Sequence, residues 1–275
     1  MTAAEQRPEI SGGKEIMAQK KKEKATVLSQ KTLAPGIYDA VLRTSIAKDA
    51  VPGQFIAVYP KDKSTLLPRP ISICEVNKEE STLRIVYRVA GKGTGEFSEW
   101  TEGEEVYVLG VLGNGFPLDA VKEGQTAFLM GGGIGVPPIL ELSKQLNCNK
   151  KIIMGYRDAN TFLKEDFEKN GDVVIATEDG RVGTKGNVMD AIRENGLKAD
   201  IIYACGPMPM LRAIKQYAEA EGIPAYISLE ERMACGVGAC LGCVCKTKEV
   251  DHHSHVNNAR ICTDGPVFEA GEVDI

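Results

Sequence analysis

Residues 126–146 read TAFLMGGGIGVPPILELSKQL. An apolar run gives way to Gly131, Gly132, Gly133 and Gly135, then to Pro137 and Pro138, then to apolar residues at helical spacing. That order predicts a buried strand, a glycine turn and an amphipathic helix, because proline is tolerated in the first turn of a helix. The alternation continues downstream. KIIMGYRDA (151–159), DVVIATED (172–179) and ADIIYACGP (199–207) read as short apolar strands, and MPMLRAIKQYAEAEG (208–222) as a helix. Strands alternating with helices predict a parallel sheet with crossover connections over residues 125–227. Upstream the character differs. Residues 25–124 hold GQFIAVYP, PISICEV, TLRIVYRVA and EEVYVLGVLG, β-like runs punctuated by glycine and proline, so an antiparallel barrel or sandwich is expected there.

A chain of 275 residues has room for about two domains. Its 43% hydrophobic and 26% charged residues are ordinary for a globular protein with a sizeable core. A net charge of −5 and a single tryptophan argue against a nucleic-acid-binding face. No apolar run reaches membrane-span length and the N-terminus lacks a signal-like apolar core, so a reducing, cytoplasmic setting is expected. There, clustered cysteines bind metal or do redox work more often than they cross-link. Residues 1–24 are polar, carry Lys20-Lys21-Lys22 and read as a disordered tail, which a start at Met17 would shorten.

The last part of the chain, residues 228–275, is rich in cysteine and glycine and too short for an apolar core of its own. Cys235, Cys240 and Cys243 give C-x4-C-x2-C, the plant-type 2Fe-2S spacing, which needs a distant fourth cysteine. Gly236, Gly238 and Gly242 let the loop curl and bring backbone N–H groups to sulfur. A zinc site would want two paired C-x2-C knuckles, and a Rieske-type site would set histidine beside cysteine; neither pattern is present. Cys262, in RICTDGPVF, is the natural fourth ligand. Cys245 is the spare, because an extended CVC puts it ~6.5 Å beyond Cys243. DHHSH (251–255) reads as a solvated excursion.

Other stretches suit phosphate and ring binding. In LPRPISICEV (67–76), Arg69 offers a fork of donors to a diphosphate and Ser72 a small hydroxyl to a ring nitrogen. In GKGTGEFS (91–98), Gly91, Gly93 and Gly95 expose N–H groups to an anion, although a hairpin turn would read the same way. GGGIGVPP and the turn Cys205-Gly206-Pro207-Met208 end apolar strands, where parallel sheets bind their ligands. Cys74 and Cys148 read as core cysteines, whereas Cys205 lies near chemistry.

Together these motifs resemble the ferredoxin reductase-like flavoproteins, in which an FAD-binding barrel precedes a pyridine-nucleotide domain. With the cysteine segment included, the resemblance over residues 25–275 narrows to the electron-transfer subunits of type B dihydroorotate dehydrogenases. It implies a multi-domain fold: an antiparallel β-barrel FAD domain (25–124), an α/β parallel-sheet NAD-binding domain (125–227) and a small 2Fe-2S subdomain (228–275). It implies FAD contacts at Arg69, Pro70, Ile71, Ser72, Val86, Tyr87, Arg88, Gly93 and Thr94. NAD contacts fall at Gly131, Gly132, Gly133, Gly135, Pro137, Cys205, Gly206, Pro207 and Met208. Ser72 and Cys205 are the catalytic candidates, and Cys235, Cys240, Cys243 and Cys262 the cluster ligands. The implied partner is an FMN-containing dihydroorotate dehydrogenase catalytic subunit, in a heterotetramer of two of each, serving de novo pyrimidine biosynthesis. Electrons would pass from FMN through the 2Fe-2S cluster and FAD to NAD. The long tail, Cys245 and the DHHSH gap depart from the family pattern. Glu178 and Asp179, after a strand, favour a free ribose hydroxyl and hence NAD, while Arg157 and Arg181 argue the other way. The alternatives are a reductase exchanging electrons between NAD(P)H and ferredoxin or another redox complex, and a non-catalytic metal-binding adaptor.

Overall fold

The structure is a computed structural model and describes residues 20–250 and 255–275. Strands β1 (Lys21–Ala34), β2 (Ile37–Arg43), β3 (Phe55–Tyr59), β4 (Arg69–Asn77), β5 (Thr82–Arg88) and β6 (Glu105–Leu112) form a closed antiparallel barrel in the order β1-β2-β5-β4-β3-β6. Pairing of β1 with β6, from Lys21↔Gly110 to Thr26↔Glu105, closes it and decides for a barrel over a sandwich. Period-two alternation fills the interior: Leu83, Ile85 and Tyr87 of β5 point in beside Val27, Leu42 and Ile73. Helix α1 (Lys92–Phe97) plugs one end, with Phe97 stacked on Trp100.

The second body holds β7 (Thr126–Gly132), α2 (Pro138–Gln145), β8 (Asn149–Tyr156), α3 (Lys164–Glu168), β9 (Asp172–Thr177), β10 (Thr184–Lys185), α4 (Val188–Glu194), β11 (Ile201–Cys205), α5 (Met208–Glu221) and β12 (Ala225–Ser228). The sheet order β10-β9-β8-β7-β11-β12 is parallel throughout, and its direction of winding reverses between β7 and β11. Such a switch point opens a crevice at the carboxyl ends of the strands.

The two bodies share a core. Cys74 and Val86, on the outer face of the barrel, pack in one cluster with Val136, Ile139 and Leu140 around α2. Each fully buried residue of this kind is worth ~1.5–3 kcal/mol. Arg84 of β5 pins the seam, pairing with Asp39 at 2.8 Å, with Asp166 of α3 at 3.0 Å and with Glu75. Asp39 is only 3% exposed, so loss of Arg84 would strand a buried charge.

Two expected boundaries shift. The final segment forms a hairpin, β13 (Val244–Lys246) with β14 (Asn258–Arg260), and then β15 (Val267–Glu269) adds antiparallel to β12 at the edge of the large sheet. Cys243, Cys262, Phe268 and Val273 lie in the same cluster as Ile214 and Ile227. Residues 228–275 therefore borrow the core of the α/β body, rather than depending on a metal centre alone. The expected tail also ends earlier than residue 24, since β1 starts at Lys21; residues 1–19, Met17 included, and 251–254 lie outside the described residues.

Glu23 explains the early start. Its carboxylate accepts from Thr44 Oγ1 (2.5 Å), Ser45 N–H (2.7 Å) and Ser45 Oγ (2.6 Å), and it pairs with Lys21. Burial opposes its ionisation, but Lys21, Ser45 and Thr44 outweigh that and bring its pKa from 4.5 to about 2. A folded pKa below the unfolded one means that the ionised form favours the fold, fully above about pH 4.5 and less as pH falls toward about 2. Glu23→Gln should lower stability in urea melts at pH 7, with the gap from the parent chain narrowing through that window. A gap independent of pH would assign the effect to packing.

Candidate functional site

Strand β4 changes partner halfway along. Arg69, Pro70, Ile71 and Ser72 pair with Val58, Ala57, Ile56 and Phe55 of β3, whereas pairing with β5 runs only from Ile73↔Ile85 to Asn77↔Thr82. The last residues of β5, Val86, Tyr87 and Arg88, pair on their other side with Asp39, Tyr38 and Ile37 of β2. The barrel wall therefore parts between Arg69–Ser72 and Val86–Arg88, and two backbone edges line a slot without a ladder between them. Backbone groups along such edges need partners, and a planar, polar-edged ligand can supply them.

The slot leads to α1. Arg69 lies over Gly93, where a Cβ would stand 2.7 Å from Arg69 Nε and 3.1 Å from Pro60 Cγ, so any larger residue would push the guanidinium aside. Thr94 Oγ1 accepts from the N–H groups of Ala90 (2.8 Å) and Gly91 (3.2 Å), which fixes the turn. GKGTG is thus the first turn of a helix rather than a hairpin, with its free N–H groups beside Arg69. A cleft of ≈ 380 Å³ continues outward between Ser64, Thr65, Leu66, Leu67, Arg69 and Lys92. Lys92 spans it, donating to Ser64 Oγ at 2.6 Å and pairing with Asp62. Sequence reasoning passed over Lys92, although it stands inside the glycine motif.

At Tyr87 the backbone and the side chain part company. The Tyr87 side chain is 1% exposed inside the barrel, its hydroxyl donating to Gln30 Oε1 at 2.8 Å, and burial pushes its ionisation up. Only its backbone borders the slot. Val86 is buried at the seam and Arg88 is exposed.

Two turns meet at the switch point. Gly131 of β7 pairs with Cys205 of β11, and a Cβ on Gly135 would lie 2.4 Å from the Cys205 carbonyl oxygen. A Cβ on Gly132 would lie 2.4 Å from Met210 Sδ. The two turns therefore interlock, Gly135 against the Cys205 backbone and Gly132 against the Met210 side chain, and β5 approaches the same glycine turn from the barrel side. Pro207 precedes α5, Met208 opens it, and Pro137 sits just before α2. Burial pushes the Cys205 thiol up to about 12 against a Ser228 hydrogen bond, so it is a neutral thiol at physiological pH. Beyond β9, Asp179 pairs with Arg181 at 3.3 Å.

The cysteine loop docks on the barrel end. Gly236 (φ +68°) and Gly238 (φ +84°) turn the chain back so that the N–H groups of Val237 and Ala239 point at Cys235 Sγ, at 3.4 and 3.3 Å. Burial disfavours the Cys235 thiolate, but those N–H groups and Cys240 prevail and bring it down to about 6. Cys262 is pushed up to about 11 by burial and by the Cys243 thiol beside it. The hairpin brings the second pair close, because the Val244↔Arg260 register and the Ile261 N–H on the Cys243 carbonyl (2.8 Å) put Cys243 opposite Ile261, one residue from Cys262. The thiols thus meet as Cys235 with Cys240 and Cys262 with Cys243, while among the described residues no group of three or more ligating side chains could hold one metal ion. Two thiols per metal suit a binuclear iron–sulfur centre. Cys245 lies half-buried on β13 opposite Ala259, packed against the cluster that buries Cys243 and Cys262, and burial raises its thiol.

The loop also rests on the barrel two strands from the slot. A Cβ on Gly236 would lie 3.2 Å from Leu112 Cδ1, and Asn114 donates to the Gly265 carbonyl (2.6 Å) and the Asp264 carbonyl (3.0 Å). Leu112 pairs with Phe55, and Phe55 with Ser72. Two strand spacings, ~10 Å, separate Leu112 from Ser72. The sequence contained no sign of Asn114 in this role.

A split barrel, a parallel sheet with a glycine-turn crevice and an appended cysteine loop define a ferredoxin reductase-like iron–sulfur flavoprotein. A chain of the NADH-dependent reduced ferredoxin-NADP oxidoreductase has this arrangement, at 28% identity and a TM-score of 0.80 over 91% of this chain and 89% of that one. The ferredoxin reductase of carbazole 1,9a-dioxygenase shares the fold at 18% identity and a TM-score of 0.66, over 77% of this chain and 70% of that one. Residues 230–274 match the iron-sulfur cluster binding domain of dihydroorotate dehydrogenase B. Among curated relatives, the dihydroorotate dehydrogenase B (NAD(+)) electron transfer subunit of Lysinibacillus sphaericus (strain C3-41) is 45% identical over 259 residues, 92% of this chain and 98% of that protein. Its counterpart in Geobacillus thermodenitrificans (strain NG80-2) is 43% identical over 258 residues, with the same two shares. The chain belongs to the family of dihydroorotate dehydrogenase B electron transfer subunits.

Two outcomes are expected. Gly135→Ala should cost ~1–3 kcal/mol by overpacking the interlocked turns, read as a lower urea midpoint together with weaker nucleotide binding. Cys262→Ser should lose the iron that Cys245→Ser retains when both chains are purified anaerobically; the reverse result would move the fourth ligand to Cys245.

Proposed function

We propose that the chain carries reducing equivalents between a dihydroorotate-oxidising, FMN-containing catalytic subunit and NAD+, as one half of a heterotetramer of two of each subunit. The observation that carries this reading is the cysteine loop resting on Leu112, in register through Phe55 with Ser72 at the slot. When bound, the 2Fe-2S cluster supplies single-electron transfer and FAD the exchange of single electrons for a hydride.

The residues of the chain hold and orient these groups. Arg69 and the N–H groups of Gly93 and Thr94 bind the FAD diphosphate. The edges Arg69–Ser72 and Val86–Arg88 grip the ring, with the Ser72 hydroxyl toward a ring nitrogen. Gly131, Gly132, Gly133, Gly135 and Pro137 on one turn, and Cys205, Gly206, Pro207 and Met208 on the other, receive NAD at the switch point. Cys205, held neutral, would line the nicotinamide site without placing a negative charge beside the ring. Cys235, Cys240, Cys243 and Cys262 hold the cluster. The domains follow the same division, with FAD on the barrel, NAD on the parallel sheet and the cluster on residues 228–275.

The partner surface surrounds the cluster. Val237, Leu241 and Val244 are 39%, 64% and 38% exposed around the exposed Cys240, an apolar patch of the kind that partners cover. Among the described residues no helix is long and apolar enough to cross a membrane, and a cytoplasmic location suits a cysteine cluster that binds metal rather than cross-links. Glu178 and Asp179 beyond β9 favour NAD over NADP by repelling a 2′-phosphate.

The purified chain should be yellow-brown, hold FAD and two irons, and reduce artificial acceptors with NADH. Dihydroorotate oxidation should require the added FMN subunit, and turnover by the single chain would refute the division of labour. Arg69→Ala should weaken FAD binding by ~1.5–3 kcal/mol, the worth of a charged hydrogen bond, measured by flavin fluorescence on dilution. Unchanged affinity would remove Arg69 from the site.

A further inference from the structure

The hairpin that delivers Cys243 and Cys262 also delivers an ion pair to which the relay assigns no task. Arg260 ends β14 two residues before Cys262, and Asp264 lies two residues after it. Arg260 donates to Asp264 Oδ2 from its backbone N–H (2.8 Å) and Nε (3.1 Å), and to Oδ1 from Nη2 (3.1 Å). Its remaining nitrogen, Nη1, reaches the Gly238 carbonyl at 3.4 Å. Gly238 belongs to the cysteine loop, and a Cβ there would stand 2.8 Å from Thr263 Cγ2 and 3.4 Å from Arg260 Nη1. The Asp264 carbonyl is held in turn by Asn114 of the barrel end. The pair is therefore fixed against the wall of the cysteine loop, beside the Cys243–Cys262 thiols.

We propose that Arg260 and Asp264 are positioning residues that set the reduction potential of the cluster, Arg260 raising it and Asp264 lowering it. The inference rests on the assignment of Cys235, Cys240, Cys243 and Cys262 as ligands. Reduction adds one electron to the iron–sulfur centre, with no bond made or broken and no proton taken up. One negative charge then appears at a fixed place. A cation held beside it stabilises the reduced form and an anion opposes it. The side chains are 42% and 37% exposed, so solvent trims each effect without changing its sign. Charges one step removed from the ligands tune iron–sulfur centres in this way.

The test is a dithionite titration of the full chain with redox mediators, under argon, following the cluster by EPR and visible absorption. Arg260→Gln should lower the midpoint potential, Asp264→Asn should raise it, and Arg260→Lys should stay close to the parent chain. Opposite shifts at unchanged iron content are what fixed charges produce; a residue that only braces the loop has no reason to produce them. Shifts of the same sign, or none, overturn the proposal. If Arg260→Gln sheds its iron, Asp264→Asn decides alone, and an unchanged or lowered potential there overturns it. Iron loss from both neutral variants would show a bracing role and overturn it as well. A parent chain without a 2Fe-2S signal would remove the ligand assignment and this inference together, whereas a normal signal with unmoved potentials would remove the inference alone.

Discussion

The change of partner along β4 is the constraint from which the rest follows. A barrel strand that pairs with β3 over Arg69–Ser72 and with β5 only from Ile73 onward leaves a seam in its own wall. Cores stabilise proteins by closing such seams, so an open one has to be held apart by its surroundings. Here β3 and β2 hold the two lips from outside, and α1 fixes the end. The glycine turn behind β5 and the cysteine loop two strands away on β6 are then both neighbours of the seam.

The second requirement is that three pieces keep one geometry. They do so through shared apolar clusters rather than through linkers. Cys74 and Val86 join the barrel to α2, Phe55 and Leu112 join it to the cluster that also buries Cys243 and Cys262, and β15 sews the C-terminal segment onto the sheet. Arg84 adds a charged pin whose carboxylates come from both bodies. Relative motion of these pieces would cost buried area, which is the physical basis for a fixed electron path.

What was legible in the sequence was local. The change from period two to strand–turn–helix near residue 125, and the spacing of Cys235, Cys240 and Cys243, depend on residues close together and could be read directly. The alternation Leu83-Ile85-Tyr87 carries the Tyr87 side chain into the barrel and leaves its backbone at the slot. The slot was illegible because it is a fact about which strand pairs with which, and pairing is non-local. β15 was missed since three residues are too few to show a period. The start of β1 at Lys21 was hidden by its charges, which Glu23 and the aromatic rings of Tyr59 and Tyr107 accommodate.

The β13–β14 hairpin has a consequence for how such a chain can vary. Because the β13–β14 pairing holds Cys243 opposite Ile261, one residue from Cys262, the span between Lys246 and Asn258 contributes only loop-closure entropy to their approach. Doubling a flexible loop costs only ~0.6 kcal/mol. Lengthening this connection, as the DHHSH stretch does, therefore leaves the approach of Cys243 to Cys262 nearly untouched. The short span from Cys235 to Cys240 has no such freedom, since its glycines already run at positive φ and its N–H groups are aimed at sulfur. Sequence drift should accumulate in the first connection and be refused in the second.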